Sequence, residues 1–522
     1  MHTLKLSSLA LVACALSLAC QGEMLPPGPG VEPDPHQSPA PGSSRLLPPG
    51  LAGEYCNQAI PSPLHRLSSW EMQNTLAAAF PGLELPSARL VSDARPYGYD
   101  NDLLSLGIDD AFARSLNTLS IDIGKLAAEQ VEQLIDCSAR DAACVKRLIA
   151  QVAEPLLRRE AADLALEEIE ALAAGQPFET AVRLSIESLL KAPEFIFRAG
   201  TAAGEPQGYA AASRLSYFLW GTPPDKQLLA DAKAGRLASA SDLRRAAERL
   251  LADPRAERQL KHFFALWANL RPDGTNPTAD GLAAIEETES FALHVFKSGG
   301  SLKDLLLSSD VVEAKPSVAA LYQRDPQPML RTGMLSRAAF LQRTSKVDGV
   351  SPVARGVWLL EHVLCRELGT PPEGADATPL PELGANATRR EQIVAQTESS
   401  AECSGCHRVI NPIGFAFDNF GPQGEYREVD QRSGRPIDAS GKLPSGESFQ
   451  DYRELLSIIA SSSETSRCLT EQLMRFAFGG GPEVNDRCLV DEIHQGFVKS
   501  ELKLRELVLE IVSHPRFFKG AN

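Results

Sequence analysis

Beyond residue 20 the 522-residue chain has no run of 18 apolar residues, so no transmembrane helix is expected there. It has no basic surplus: 52 Lys and Arg stand against 67 Asp and Glu, a formal charge of −15 without long blocks of one sign. Such a balance offers nucleic-acid phosphates little, and no nucleic-acid partner is expected. Neither Gly-x-Ser-x-Gly nor His-Glu-x-x-His occurs, which leaves hydrolase readings without an anchor. Gly479-Gly480-Gly481-Pro482 lacks a following Lys-Ser/Thr, so it is read as a helix end and not as a phosphate loop. No second Cys-x-x-Cys completes a four-ligand zinc site, and no βαβ pattern suggests thioredoxin-like chemistry.

What the chain does have is Cys403-Ser404-Gly405-Cys406-His407. Cys-x-x-Cys-His is the attachment signature of a c-type haem. Each thiol can form a thioether to a vinyl group, and His407 then becomes the proximal iron ligand. The expected cofactor is therefore covalent haem c. For the sixth ligand Met474 is a candidate, 67 residues after His407, although core packing is the stronger reading for it. His262, His362, His494 and His514 are weaker candidates, since a core or surface histidine is commoner. A filled sixth site favours electron transfer and an open one favours peroxide or oxygen chemistry; carrier and enzyme both stay open. The alternative for the cysteines is a structural Cys403–Cys406 disulfide in a non-redox surface scaffold binding a partner or polysaccharide.

The N-terminus fits export. Lys5 precedes a mostly apolar run from Leu6 to Ala19, too short to span a bilayer, and Ala19 sits before Cys20. A lipoprotein-type signal over 1–20 is expected, with Cys20 lipidated; Leu11-Val12-Ala13-Cys14 is the competing box. Residues 21–52 are rich in Pro and Gly and read as a disordered tether. Together these predict a cell-envelope protein anchored by lipid, with the outer membrane favoured because Gln21 gives no Asp-type retention signal.

Apolar residues make up 43% of the chain, enough for sizeable cores. Amphipathic stretches, among them 70–80, 111–135, 143–172, 178–192, 354–366 and 487–498, predict a mainly α, multi-module compact architecture. Ser241 is read as the N-cap of a helix ending before Asp253-Pro254, and a further helix starts at Pro254, burying Leu260, Phe263, Phe264 and Trp267. A small hairpin is expected after the motif, from Tyr426–Val429 and Arg435–Ala439 around Arg432-Ser433-Gly434. Residues 369–386 read as a loop or linker. In an oxidising compartment Cys137 with Cys144, and Cys468 with Cys488, are candidate disulfides, and Cys56 and Cys365 are left as a possible third pair.

Three further groups suggest chemistry more weakly. Pro412 and Gly414 are read as shaping a turn after His407, where a backbone carbonyl could hold the imidazole. Tyr426 and Arg427 could meet a haem propionate, with a surface salt bridge as the competing reading. Glu286, Glu287 and Glu289 could do acid–base work, but a solvated helix face is favoured.

The order of several motifs is recognisable. Gly98-Tyr99-Asp100-Asn101, Arg214 to Trp220, Leu251-Ala252-Asp253-Pro254-Arg255, Ser351-Pro352-Val353-Ala354-Arg355-Gly356, Cys403 to His407 and Phe476-Ala477-Phe478-Gly479 stand in sequence. The chain resembles the planctomycete-type cytochrome-c-like family, exported tandem domains of unknown function that are also common in myxobacteria. The resemblance implies helical modules at 53–130, 131–202, 203–332, 333–440 with the haem motif, and 441–522. It also implies a companion exported protein or redox partner. One departure is visible: the family usually has Asp where Asn411 stands.

Overall fold

The computed structural model describes residues 64–519 except 87–89, 138, 199–206, 272–276, 327–329, 347–348, 370–379 and 481–485. The expected signal, Cys14, Cys20, the tether and Cys56 lie outside the described residues, as does most of the 369–386 segment. The fold is mainly α, with three two-stranded antiparallel ladders among the described residues: β1 (His65–Arg66) with β2 (Phe197–Arg198), β3 (Ser345–Lys346) with β4 (Gly349–Val350), and β5 (Gly441–Lys442) with β6 (Ser448–Phe449). Among the described residues no helix is long and apolar enough to cross a membrane.

Two apolar cores organise the helices. The first draws on α1 (Ser69–Ala79), α2 (Asp110–Glu129), α3 (Ala142–Leu157) and α4 (Phe178–Lys191). Ser68 and Glu71 form a capping box at the start of α1, satisfying two donors that a helix otherwise leaves unpaired. The amphipathic stretch 143–172 is not one helix. It breaks at Arg158, which adopts φ +58°, and its guanidinium turns inward to the carbonyl oxygens of Leu156 at 2.9 Å and Phe197 at 2.7 Å. Cys137 and Cys144 are disulfide-bonded at the entrance to α3, their Cα atoms 5.7 Å apart.

The second core is continuous from Tyr209 to Phe517, joined by Tyr99. Its main helices are α5 (Gln207–Trp220), α6 (Ala240–Leu251), α7 (Pro254–Trp267), α8 (Ala279–Lys297), α9 (Ala338–Arg343), α10 (Pro352–Trp358), α11 (Arg389–Thr397), α12 (Ala401–Phe415), α13 (Tyr452–Ala460), α14 (Ser463–Phe478), α15 (Arg487–Lys499) and α16 (Leu504–Ser513). The N-cap of α6 is Ser239, not Ser241: its hydroxyl accepts from the Asp242 amide at 3.2 Å, and Ser241 already lies within the first turn. Asp253 caps α7 with Pro254 at its first position, where a missing N–H costs nothing. Phe263, Phe264 and Trp267 are buried. The 354–366 stretch changes pitch, α10 passing into a π turn at Leu359–Val363.

The two cores meet through specific polar contacts. The Tyr217 and Thr75 hydroxyls are 2.6 Å apart, Asn74 donates to the Gly221 carbonyl at 3.0 Å, and Trp70 donates to Gln259 at 3.0 Å. The expected hairpin after the motif closes through one isolated bridge, Val429 with Pro436, and a second bridge, Phe420 with Tyr426, closes the turn before it. Asp430 organises the hairpin tip, its carboxylate accepting from the Ser433 amide at 2.9 Å and the Arg432 amide at 3.2 Å. Beside the tip the backbones still pair, Asp430 N–H donating to the Arg435 carbonyl at 2.8 Å and Ile437 N–H to the Glu428 carbonyl at 2.9 Å.

Two expected disulfides are replaced by another. Cys365 is bonded to Cys468, with Cα atoms 5.3 Å apart. The pairs Cys468–Cys488 and Cys56–Cys365 are thereby excluded; Cys488 is itself disulfide-bonded, to neither Cys365 nor Cys468. Proximity in sequence misleads here because α14 runs beside the chain leaving the π turn, where Cys468 also reaches the His362 carbonyl.

Candidate functional site

The Cys-x-x-Cys-His motif forms the first turns of α12, not a loop. Ser400 caps this helix, its hydroxyl accepting from the Cys403 amide at 3.3 Å. Helical spacing of three and four residues puts Cys403, Cys406 and His407 on one face. Both thiols are free, Cys403 half-buried and Cys406 exposed, so the structural Cys403–Cys406 disulfide is not formed. A side chain at Gly405 would meet no other atom within 4 Å, so the motif borders open space.

The imidazole of His407 is oriented from below. Its Nδ1 lies 3.1 Å from Oδ1 of Asn411, one turn further along α12. Asn411 is fully buried, and its Nδ2 donates to Glu398 Oε1 at 2.8 Å and Thr397 Oγ1 at 2.9 Å. The Glu398 carboxylate only accepts, and the Thr397 hydroxyl already donates to the Ile393 carbonyl at 2.7 Å. The amide NH2 of Asn411 must therefore face α11, which leaves its oxygen toward His407. That oxygen accepts from Nδ1–H, and the Nε2 lone pair of His407 stays available. A metal-binding histidine is held in this way, by a hydrogen bond on the far ring nitrogen.

The helix carrying the motif is fixed by close backbone contact. Gly356 of α10 lies against the Ile410 carbonyl and Gly414 of α12 against the Pro352 carbonyl, so the two helices run antiparallel with no room for a Cβ at either position. Pro412 and Gly414 are thus inside α12 and do not form a turn after His407. The position expected for a backbone carbonyl partner is filled by the Asn411 side chain. The spacing of four residues on a helix was the available signal for that pair.

Just past α12, fully buried Arg355 donates to the carbonyl oxygens of Phe417 at 2.7 Å and Phe420 at 2.9 Å. Burial pushes the neighbouring Asp418 carboxyl up to about 6, against the pull of Arg355 and Arg427. Arg427 donates to the Asp418 carbonyl at 3.3 Å and Tyr426 packs edge-on to Phe420. Both residues therefore serve the turn, and Arg427 makes no surface salt bridge among the described contacts.

Of the sixth-ligand candidates, all but His362 are held by packing or a hydrogen bond, and His362 has a buried Nδ1 without a partner among the described contacts. Met474 is fully buried in the second core. His494 is 2.8 Å from the Ser466 hydroxyl, His514 2.9 Å from Glu492, and His262 2.9 Å from Asp100. His362 stacks on Trp358 and is shifted down to about 4 by burial. No group of three or more His, Cys, Asp or Glu among the described residues is arranged to hold a metal ion. The acidic cluster on α8 is not a solvated face. Only Glu286 is exposed, paired with Lys315 at 2.6 Å; Glu287 is buried against Arg337, and Glu289 is buried and paired with Arg271 at 2.8 Å. The helix is covered on more than one side, and the buried carboxylates are neutralised by arginines brought from distant segments.

Comparison with known proteins finds no match among curated proteins or solved structures. Three family models match in tandem, together covering more than half the chain. "Protein of unknown function (DUF1592)" matches residues 207–323, "Protein of unknown function (DUF1588)", with the short name PSCyt3, matches 331–430, and "Protein of unknown function (DUF1585)" matches 445–517. The motif helix and its support, α10 to α12, fall inside the second match, and the chain belongs to the cytochrome-c-like tandem-domain family of unknown function.

Proposed function

We propose that this protein carries a c-type haem bonded through Cys403 and Cys406 and exchanges electrons at the cell envelope. The observation that carries the proposal is the bond from His407 Nδ1–H to Asn411, which leaves Nε2 free beside two unbonded thiols. The residues present fit the group: the sulfurs are accessible, the glycine between them leaves open space, and the imidazole is held in the tautomer that binds iron. Bound there, a haem supplies one-electron redox chemistry. The protein holds the proximal imidazole through a buried amide, and the antiparallel α10–α12 packing keeps both fixed. Exposure of the motif suits exchange with a separate redox partner, here a companion exported protein. The lipid anchor at Cys20 places the protein on a membrane surface.

A second reading has a specific observation behind it. Met474 is packed in the second core and His262, His494 and His514 are hydrogen-bonded elsewhere, so a haem held at Cys403, Cys406 and His407 would draw no second protein ligand from these. That arrangement suits a haem peroxidase or oxygenase acting on an external substrate. Expression with a cytochrome c maturation system followed by optical spectroscopy separates the readings. A low-spin ferric form unresponsive to cyanide supports the carrier, whereas a high-spin form that binds cyanide supports the enzyme. A folded product without haem contradicts both.

A further inference from the structure

A cleft of about 720 Å3 opens between α1, the 90–100 segment and the exposed face of α7. Its volume lies inside the range of about 300–1,000 Å3 typical of small-molecule sites. None of its lining residues belongs to the motif helix or its supports, so the cleft stands independently of the haem reading.

Its charges are unevenly matched. Four carboxylates line it, and each has a basic partner: Asp93 the Arg66 guanidinium at 2.6 Å, Asp100 the His262 imidazole at 2.9 Å, Glu257 the Lys297 ammonium at 2.5 Å, and Glu289 the Arg271 guanidinium at 2.8 Å. Two cations of α7 make no ion pair among the described contacts. Lys261 donates to the Ser290 hydroxyl at 3.1 Å and lies near enough to Glu289 to draw its carboxyl down, and Arg258 lies over the Trp70 ring, 5.7 Å from its centroid. They are three residues apart and share one helical face. Partial burial and the nearby Arg255 shift the Arg258 guanidinium down.

The aromatic surface is already used. His262 stacks on Trp70 with centroids 4.2 Å apart and planes at 10°. Recognition here must therefore come from charge and hydrogen bonds more than from stacking on a bare ring. A compact, highly charged anion such as phosphate would meet Arg258 and Lys261 but also the carboxylates of Glu257 and Glu289. A molecule with one carboxylate and several hydroxyls answers both: its charge pairs with the two cations, and its hydroxyls donate to the lining carboxylates.

We propose that this cleft binds a hydroxylated organic carboxylate of the uronic acid class, with Arg258 and Lys261 holding its carboxylate. The test is calorimetric titration of the full exported chain with sodium D-glucuronate and sodium D-galacturonate. D-Glucose, D-galactose and inorganic phosphate at matched ionic strength serve as comparisons. Saturable binding of at least one uronate is expected, with no saturation by the neutral sugars and weaker binding of phosphate. The double variant Arg258→Ala/Lys261→Ala should weaken uronate binding by at least about tenfold. Arg258 is exposed and Lys261 half-buried, and an unchanged melting temperature establishes that the variant is folded. Should that variant not fold, Arg258→Gln alone must still weaken binding. Failure of both uronates to saturate, full affinity in the folded variant, or phosphate binding as tightly as the uronates would overturn the proposal.

Discussion

Asn411 Oδ1 accepts a hydrogen bond from His407 Nδ1 at 3.1 Å, and every other polar atom of that amide is committed to α11. The pair links a fully buried residue to the accessible motif, so its effects reach both stability and the iron. Asn411→Leu should cost about 1–3 kcal/mol, because Glu398 and Thr397 lose a buried donor. In the haem-loaded protein it should also raise the midpoint potential, since the imidazole loses an acceptor that increases its basicity. Asn411→Asp should lower the potential through a stronger acceptor. Spectroelectrochemical titration of the three proteins reads both directions.

The Cys365–Cys468 bond closes a loop of 103 residues that contains the whole motif helix. Loops of this length restrict the unfolded chain strongly. Replacing both cysteines by alanine should cost about 2–5 kcal/mol. Thermal unfolding of the double variant checks this.

Arg355 is the structural centre of the turn after α12. Arg355→Met removes the donors for the Phe417 and Phe420 carbonyls and one of the cations that draw on Asp418. With two buried carbonyl oxygens left unpaired, a loss of about 2–5 kcal/mol is expected. Urea unfolding should show a lower midpoint at unchanged slope.

His362 and Asp418 give opposite pH dependences. The His362 pKa is shifted down to about 4 by burial. Between pH 6.5 and 4 the unfolded chain takes up a proton there that the folded chain refuses, so this term removes stability as pH falls. The Asp418 pKa is shifted up to about 6. Between 3.8 and 6 the folded chain holds a proton that the unfolded chain releases, so this term removes stability as pH rises. Each contributes up to about 1.4 kcal/mol per pH unit within its window. Between pH 4 and 6, His362→Leu should therefore make stability fall more steeply with rising pH than in the parent protein. Asp418→Asn should do the reverse, as denaturant midpoints at several pH values will show.

Helical periodicity made most elements legible in the sequence, and Asp253-Pro254 marked a helix start correctly. What it hid depended on contacts between distant segments. Glu287 looks like a solvated charge along α8 until Arg337, fifty residues on, is folded against it. Cys468 lies nearer in sequence to Cys488 than to Cys365, but packing of α14 decides its partner. The motif itself was plain from Cys403 to His407, whereas its placement on a helix turned on Gly356 and Gly414, which let two backbones touch. Ser239 and Ser241 are both acceptable caps by type, and only the turn geometry distinguishes them.

Whether sulfur-bound porphyrin is present decides the central claim. The full-length protein should be produced with a cytochrome c maturation system, denatured, and examined by intact mass and haem absorbance beside Cys403→Ala/Cys406→Ala. One haem retained through denaturation in the parent chain and absent from the double variant is the expected result. A colourless, folded parent chain of unmodified mass at both cysteines would contradict it.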